Sequence, residues 1–323
     1  AFSLPGWGQF LWKVAPLHLG GAAATFHRLL TKLLQGVPGT IVHVDRIIIH
    51  SAEIPEHLER LESVLQLLKT RGLAINLNKS SFLQAQAHIM GFIVSEGHVR
   101  MHPNQEESLR RCPTPTSTPM LKSFMGLANF FRGHIRNFAE LAAPLNKLIQ
   151  ANSGYKGGPL PDDALTAFVR LRNHLCSTPV LSLPRPDRQF AVIVDASTGT
   201  ADQAGGIRAI LVQMDKDGKF YAICYASRLL KDKEPTYSPF LLEMAAAVWA
   251  IKLFSDQLRG NRFVLFTDHR PLQRVALAHT KTMSEFQQLG LEFDLITQYK
   301  KGINMPADRS EEHTSELQSR IRI

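Results

Sequence analysis

The chain has 323 residues, of which 44% are hydrophobic, with 37 Lys and Arg against 28 Asp and Glu and a formal net charge of +9; the length suits about two domains with cores of their own. The surplus of positive charge suits a polyanionic partner, either nucleic acid or an acidic surface, and no run is apolar and long enough to span a membrane. Only Cys112, Cys176 and Cys224 are present, far apart and without metal-ligand spacing, which excludes a disulfide framework or a thiolate zinc site and suits reduced residues of an intracellular protein.

The opening string, AFSLPGWGQF, has neither a basic region nor an apolar signal core and reads as the middle of a longer chain. Residues 22–34 are rich in good helix formers. In IVHVDRIIIHS, residues 41–51, two apolar runs flank Val44, Asp45 and Arg46, an ordinary turn between two strands. Ile54, Leu58, Leu61, Val64, Leu65 and Leu68 make one helix face, ended at Arg71 and Gly72. Residues 73–77 are expected as a short strand with Lys79 exposed beyond it, and residues 89–95 as part of a hairpin turned at Gly97. The proline-spaced CPTPTSTP at 112–119 interrupts any helix. After it Leu121, Phe124, Met125, Leu127, Ala128 and Phe131 form an apolar face with Lys122, Arg132 and Arg136 outside it. The segment ANSGYKGGPLPD, residues 151–162, is the clearest candidate boundary, and a helix at 164–176 follows.

The second half centres on FAVIVDAS, residues 190–197. Its unbroken apolar run is that of a strand buried on both faces, and Asp195 ends it. Three further acids recur at element ends or in apolar surroundings: Glu243 in an apolar helix at 241–254, Asp268 after the apolar strand at 263–266, and Asp308 after a glycine turn and a strand. Each alone reads as a structural acid. Together they favour one shared site, because close carboxylates repel unless cations neutralise them, and an all-oxygen set selects magnesium or manganese over zinc. The elements read strand, strand, strand, helix, strand, helix, strand, with residues 206–213 and 220–226 continuing a meander turned at 215–218.

In this order VDAS, GGIRAILVQ, YASRLL, FTDHRPL and YKKGINMPAD resemble the ribonuclease H domain of gypsy-type LTR retrotransposon polyproteins. The resemblance extends upstream over nearly the whole chain to Asp308, with residues 10–51 similar to later polymerase palm motifs. It implies an α+β and α/β architecture: a partial palm at 1–102, a thumb-like helical segment at 103–150, a connector at 151–185 and a ribonuclease H-like domain at 186–308 with a mixed five-stranded sheet and flanking helices. It further implies that Asp195, Glu243, Asp268 and Asp308 bind Mg2+ or Mn2+ and cut the RNA strand of an RNA–DNA hybrid. For Lys79 it implies a place near the incoming triphosphate, and for Lys122, Arg132, Arg136 and Lys147 contact with the duplex backbone, which solvation explains equally well.

The departures are as informative. Where the family turn carries two aspartates, this chain has Asp45 followed by Arg46. At ~4 Å and an effective dielectric near 20 a unit pair is worth about 4 kcal/mol, so a cation in an acid's place empties a weak divalent site. With the first palm aspartate also absent, no autonomous polymerase activity is expected. His18, Gly21, Ala23 and His27 depart from the family's nucleotide-side motif, Arg208 stands where a second glycine is usual, and Leu241 replaces an extra acid. His269 is favoured as a turn residue. Residues 309–323 begin RSEEHTSELQS, which one codon choice matches to a sequencing adapter, and are expected to be an artefactual tail. Two functions follow: a retroelement polymerase–ribonuclease H fragment with a defective polymerase site, or a non-catalytic, basic nucleic-acid-binding remnant.

Overall fold

The computed structural model describes residues 2–14, 19–95, 97–177, 181–199, 204–214, 219–267 and 280–299. The chain divides between Leu83 and Gln84 into two compact units.

The first unit opens with a hairpin of β1 (Phe2–Leu4) and β2 (Gly8–Phe10). Helix α1 (Ala22–Leu34) follows, then the hairpin β3 (Thr40–His43) and β4 (Arg46–Ile49), then α2 (Ile54–Thr70). Leu30 and Leu34 of α1 and Val64 and Leu68 of α2 are buried together, with Val42, Ile47 and Ile49 packed on them. Only the end of the expected α2 face is therefore buried; Ile54, Leu58 and Leu65 are exposed. Gly72 closes the helix at φ +65°, a conformation that costs glycine little. The strand expected at 73–77 is absent: the segment is irregular and runs into a 3-10 turn at Leu77–Lys79. The Asn76 side chain accepts the Asn78 N–H at 3.1 Å, a local bond that competes with strand pairing.

In the second unit β5 (Ala87–Ile89), β6 (Phe92–Ser95) and β7 (His98–Met101) form a meander. Four helices follow, α3 (Pro103–Arg110), α4 (Thr118–Phe130), α5 (Phe138–Ile149) and α6 (Asp162–Cys176). The proline-spaced linker ends where Ser117 caps α4, its Oγ accepting the Met120 N–H. Leu121, Phe124, Met125, Ala128 and Phe131 are buried as their spacing predicts, in one core with Leu145 of α5 and Phe168 and Leu171 of α6. Beyond the glycine- and proline-rich segment the chain thus returns to the same helical core. Short β8 (Leu181–Ser182) adds to β7.

The remainder is a mixed five-stranded sheet, order β11-β10-β9-β12-β13. Its strands are β9 (Phe190–Gly199), β10 (Ala204–Met214), β11 (Phe220–Leu229), β12 (Phe263–Thr267) and β13 (Leu295–Tyr299). The first three pair antiparallel, whereas β12 pairs parallel to both β9 and β13. Between them lie α7 (Pro239–Leu253), α8 (Ser255–Leu258) and α9 (Lys281–Glu292). Alternation along the strands sorts the faces. Val192, Val194, Ile207, Ala209, Leu211 and Leu265 pack with α7 and α9, while Ala191, Ile193, Ile210, Val212 and Val264 make a smaller cluster on the other face. That second face receives the start of α5: the Ala139 N–H donates to Ser227 Oγ at 2.9 Å. Gln213, 2% exposed, fastens the approach to β9 by exchanging hydrogen bonds with the backbone of Arg185 and donating to the Arg188 carbonyl.

Candidate active site

Asp195 continues the row of Ala191 and Ile193, so it lies on the face that receives α5, and its register partner on β10 is Arg208. Arg208 Nη1 donates to Asp195 Oδ2 at 2.8 Å. The same guanidinium makes a bidentate pair with Glu140 of α5, Nε to Oε1 and Nη2 to Oε2, each at 3.0 Å. The side chains of Glu140, Asp195 and Arg208 are only 18%, 21% and 24% exposed. Burial by itself lowers the Arg208 pKa, but the hydrogen bonds and charges of Glu140, with those of Asp195, hold it above its ordinary value. Two carboxylates thus share one guanidinium in a planar, charge-assisted arrangement.

Glu243 reaches β9 from the opposite face. Its helix starts cleanly: Ser238 Oγ accepts the Leu241 N–H, and Pro239 occupies the first turn. Leu242 and Met244 on either side of Glu243 are buried in the main core, and Glu243 itself is 6% exposed. Its Oε1 accepts the backbone N–H of Ala196 at 3.0 Å. The place follows from topology. The β9–β12 ladder runs from Phe190↔Phe263 to Ile193↔Phe266, and β9 continues past it to Gly199. Where the two strands part, an amide of β9 is left for a side chain, and Glu243 takes it. The carboxyl ends of parallel strands are a common ligand position in open sheets.

Asp195 and Glu243 thus meet neighbouring residues of β9 from opposite faces of the sheet, the first from its own strand and the second through the amide of the next residue. Asp268, Asp308 and His269 lie outside the described residues, as do 309–323. Among the described residues no three His, Cys, Asp or Glu side chains form a metal-holding group. By chemistry alone Asp195 and Glu243 suit a hard divalent ion, since both offer carboxylate oxygens. Arg208 is the cation that Asp195 faces in this arrangement.

The remaining sequence-predicted residues are dispersed. Asp45 and Arg46 are exposed at the β3–β4 turn of the first unit, where Val44 adopts φ +56° and donates its N–H to His27 Nδ1 at 3.2 Å. Lys79 is exposed in the 3-10 turn. Lys122 and Lys147 are exposed on α4 and α5. Arg132 is tied to the sheet, donating to the Ser227 carbonyl at 3.4 Å, and partly buried Arg136 lies close enough to Tyr225 to act on its hydroxyl electrostatically. Glu140 escaped sequence reasoning because an acid early in a helix is an ordinary feature. The signal for Arg208 was present in GGIR, a cation opposite the strand-end acid.

The mixed five-stranded sheet with its flanking helices is that of a ribonuclease H-like domain. Residues 160–265 match the family described as the RNase H-like domain found in reverse transcriptase, and residues 2–94 match reverse transcriptase (RNA-dependent DNA polymerase). The chain belongs to the reverse transcriptase family and carries its RNase H-like domain, as retrotransposon Pol polyproteins do. It is similar to the Pol polyprotein of the Drosophila melanogaster transposon opus, 31% identical over 82% of this chain and 27% of that protein. It is equally similar to that of the Drosophila melanogaster transposon gypsy, 31% identical over 84% of this chain and 26% of that protein. The chain thus spans about a quarter of the length of these curated relatives. A foamy viral protease-reverse transcriptase solved in complex with an RNA/DNA hybrid shares the fold, with a TM-score of 0.76 at 21% identity over 94% of this chain and 41% of that one. Reverse transcriptase and RNase H families generally use divalent metals.

Proposed function

We propose that this chain is the reverse transcriptase–ribonuclease H portion of a retroelement Pol polyprotein, whose RNase H-like domain engages an RNA–DNA hybrid and cuts its RNA strand at Asp195, Glu243, Asp268 and Asp308. The observation that carries this reading is the Glu243 carboxylate anchored on the Ala196 amide, beside Asp195, where β9 and β12 part. Asp195 and Glu243, with Asp268 and Asp308, would hold Mg2+ or Mn2+, which supplies charge neutralisation at phosphate and an activated water. The chain's own contribution is placement. The buried turn of α7 fixes Glu243, and the β9–β10 ladder fixes Asp195. The exposed cations Lys79, Lys122 and Lys147, with Arg132 and Arg136, favour a polyanionic partner. The foamy viral complex with an RNA/DNA hybrid supports the same class of partner. In the first unit Arg46 beside Asp45 cancels the charge of the polymerase turn, and no autonomous polymerisation follows from it. Three cysteines without disulfide partners support an intracellular setting.

The test is cleavage of a labelled RNA–DNA hybrid with Mg2+ or Mn2+, with Asp195→Asn as control. Cutting by the wild-type chain that the variant lacks supports the reading; identical cutting by both refutes it. A second reading, a non-catalytic duplex-binding remnant, is favoured by the Arg208–Asp195 ion pair. It expects steeply salt-dependent hybrid binding with no metal requirement and no cutting.

A further inference from the structure

We infer that Arg208 is the resident counter-cation of the carboxylate site, so that a divalent ion gains Asp195 only by displacing this guanidinium, which Glu140 then retains. The inference rests on the reading of Asp195 and Glu243 as metal ligands, and it deepens that reading by naming what the ion competes with. Three observations carry it. Arg208 is the cross-strand partner of Asp195, so its side chain is directed onto that carboxylate by the β-ladder itself rather than by a mobile loop. The contact is a short charge-assisted bond, 2.8 Å from Nη1 to Oδ2, in a half-buried place where solvent screens it less than on the surface. Finally, Glu140 grips the opposite edge of the guanidinium through Nε and Nη2, leaving Nη1 as the group that faces Asp195. A pair of bonds on one side and a single bond on the other make an asymmetric holder, in which the Asp195 side is the one that opens. Glu140 draws part of the guanidinium's charge away from Asp195 and gives it somewhere to stay once released. Arg208 and Glu140 are thus positioning residues that set how readily the site accepts a cation.

The test is direct Mn2+ binding to the full chain by titration calorimetry, without nucleic acid or turnover. Arg208→Gln, which keeps a side-chain donor for Glu140 but removes the charge, is expected to bind Mn2+ about tenfold more tightly than wild type, the size of one charge-assisted hydrogen bond. Arg208→Ala is expected to do the same, and Asp195→Asn to abolish the gain in either background. Glu140→Gln breaks the same ion-pair network, yet is expected to weaken Mn2+ binding several-fold, because the guanidinium then leans wholly on Asp195. Opposite effects of the Arg208 and Glu140 variants are what a merely structural network does not produce. Equal Mn2+ affinity in wild type and both Arg208 variants would overturn the inference while leaving the metal site standing. So would tighter binding by Glu140→Gln, which points to simple loosening of α5. Absence of Mn2+ binding in every variant at millimolar metal would overturn the carboxylate reading itself, and the inference with it.

Discussion

Glu243 of α7 and Ala196 of β9 are joined by a hydrogen bond of 3.0 Å from the strand's amide to the carboxylate, the point at which the main helix is fixed to the end of the central strand. Glu243→Gln keeps an oxygen acceptor for that amide, so its stability should stay within about 1 kcal/mol of wild type while hybrid cleavage is lost. Glu243→Ala leaves the amide with no acceptor and should cost about 1–3 kcal/mol as well. Urea unfolding of the two variants beside a cleavage assay separates the roles. Wild-type cutting by the glutamine variant would remove Glu243 from the catalytic set.

Phe168 of α6 is fully buried, its ring centroid 4.7 Å from that of Phe124 in α4. Phe168→Ala should destabilise the second unit by about 3–5 kcal/mol through lost burial and the cavity left behind. Leu58→Ala, on the exposed part of α2, should change little. Denaturant melts followed in the near ultraviolet test the contrast, and a mild effect at Phe168 would argue that the helices do not share one core.

His134 is stacked on Phe92 at a centroid distance of 5.0 Å, and burial pushes its pKa down from 6.5 to about 4. Its Nε2 finds no hydrogen-bond partner among the described residues. The unfolded chain therefore binds a proton that the folded chain refuses between pH 6.5 and about 4. Stability from this group is present above that window and is lost as pH falls through it, by up to about 3 kcal/mol. His134→Phe preserves the stacking and should flatten the dependence. An unchanged slope of unfolding free energy against pH in the variant would exclude His134 as its source.

Lys122 is exposed on α4, whereas Arg132 is engaged with the Ser227 carbonyl. If the helical segment follows a duplex backbone, Lys122→Ala should weaken hybrid binding evenly across sequences and lower the slope of log K against log salt by about 1. Arg132→Ala should chiefly lower stability, by about 1 kcal/mol, through the lost hydrogen bond to the sheet. Binding isotherms at several salt concentrations decide it; an unchanged slope for Lys122→Ala leaves that lysine as solvated surface.

The sheet was legible because its strands are apolar runs bounded by polar turns, and the order of strands and main helices among the described residues from 190 to 299 is the order the pattern predicts, with short α8 added after α7. The helix faces were legible where a core covers them: the 121–131 stripe is buried, but most of the α2 stripe is not. The strand expected at 73–77 failed because apolar residues specify a strand only when a partner offers its ladder, and Asn76 offered a closer bond. At the site, Asp195 and Glu243 could be picked out as acids in costly surroundings. Glu140 could not, since nothing local distinguishes it. Its role arises from a contact across 68 positions of sequence, made when α5 settles on the sheet.

The order of the strands also bears on how the chain is born. The middle strand of the sheet, β9, leaves the ribosome before any other, yet one of its two edges stays bare until β12 has been made, after the whole meander and α7. During that interval an apolar strand with unpaired amides is exposed to other nascent chains, and its pairing with β12 closes a long loop, which is slow. Synthesis that stops before Phe263 would therefore release a sticky half-sheet rather than a smaller working domain.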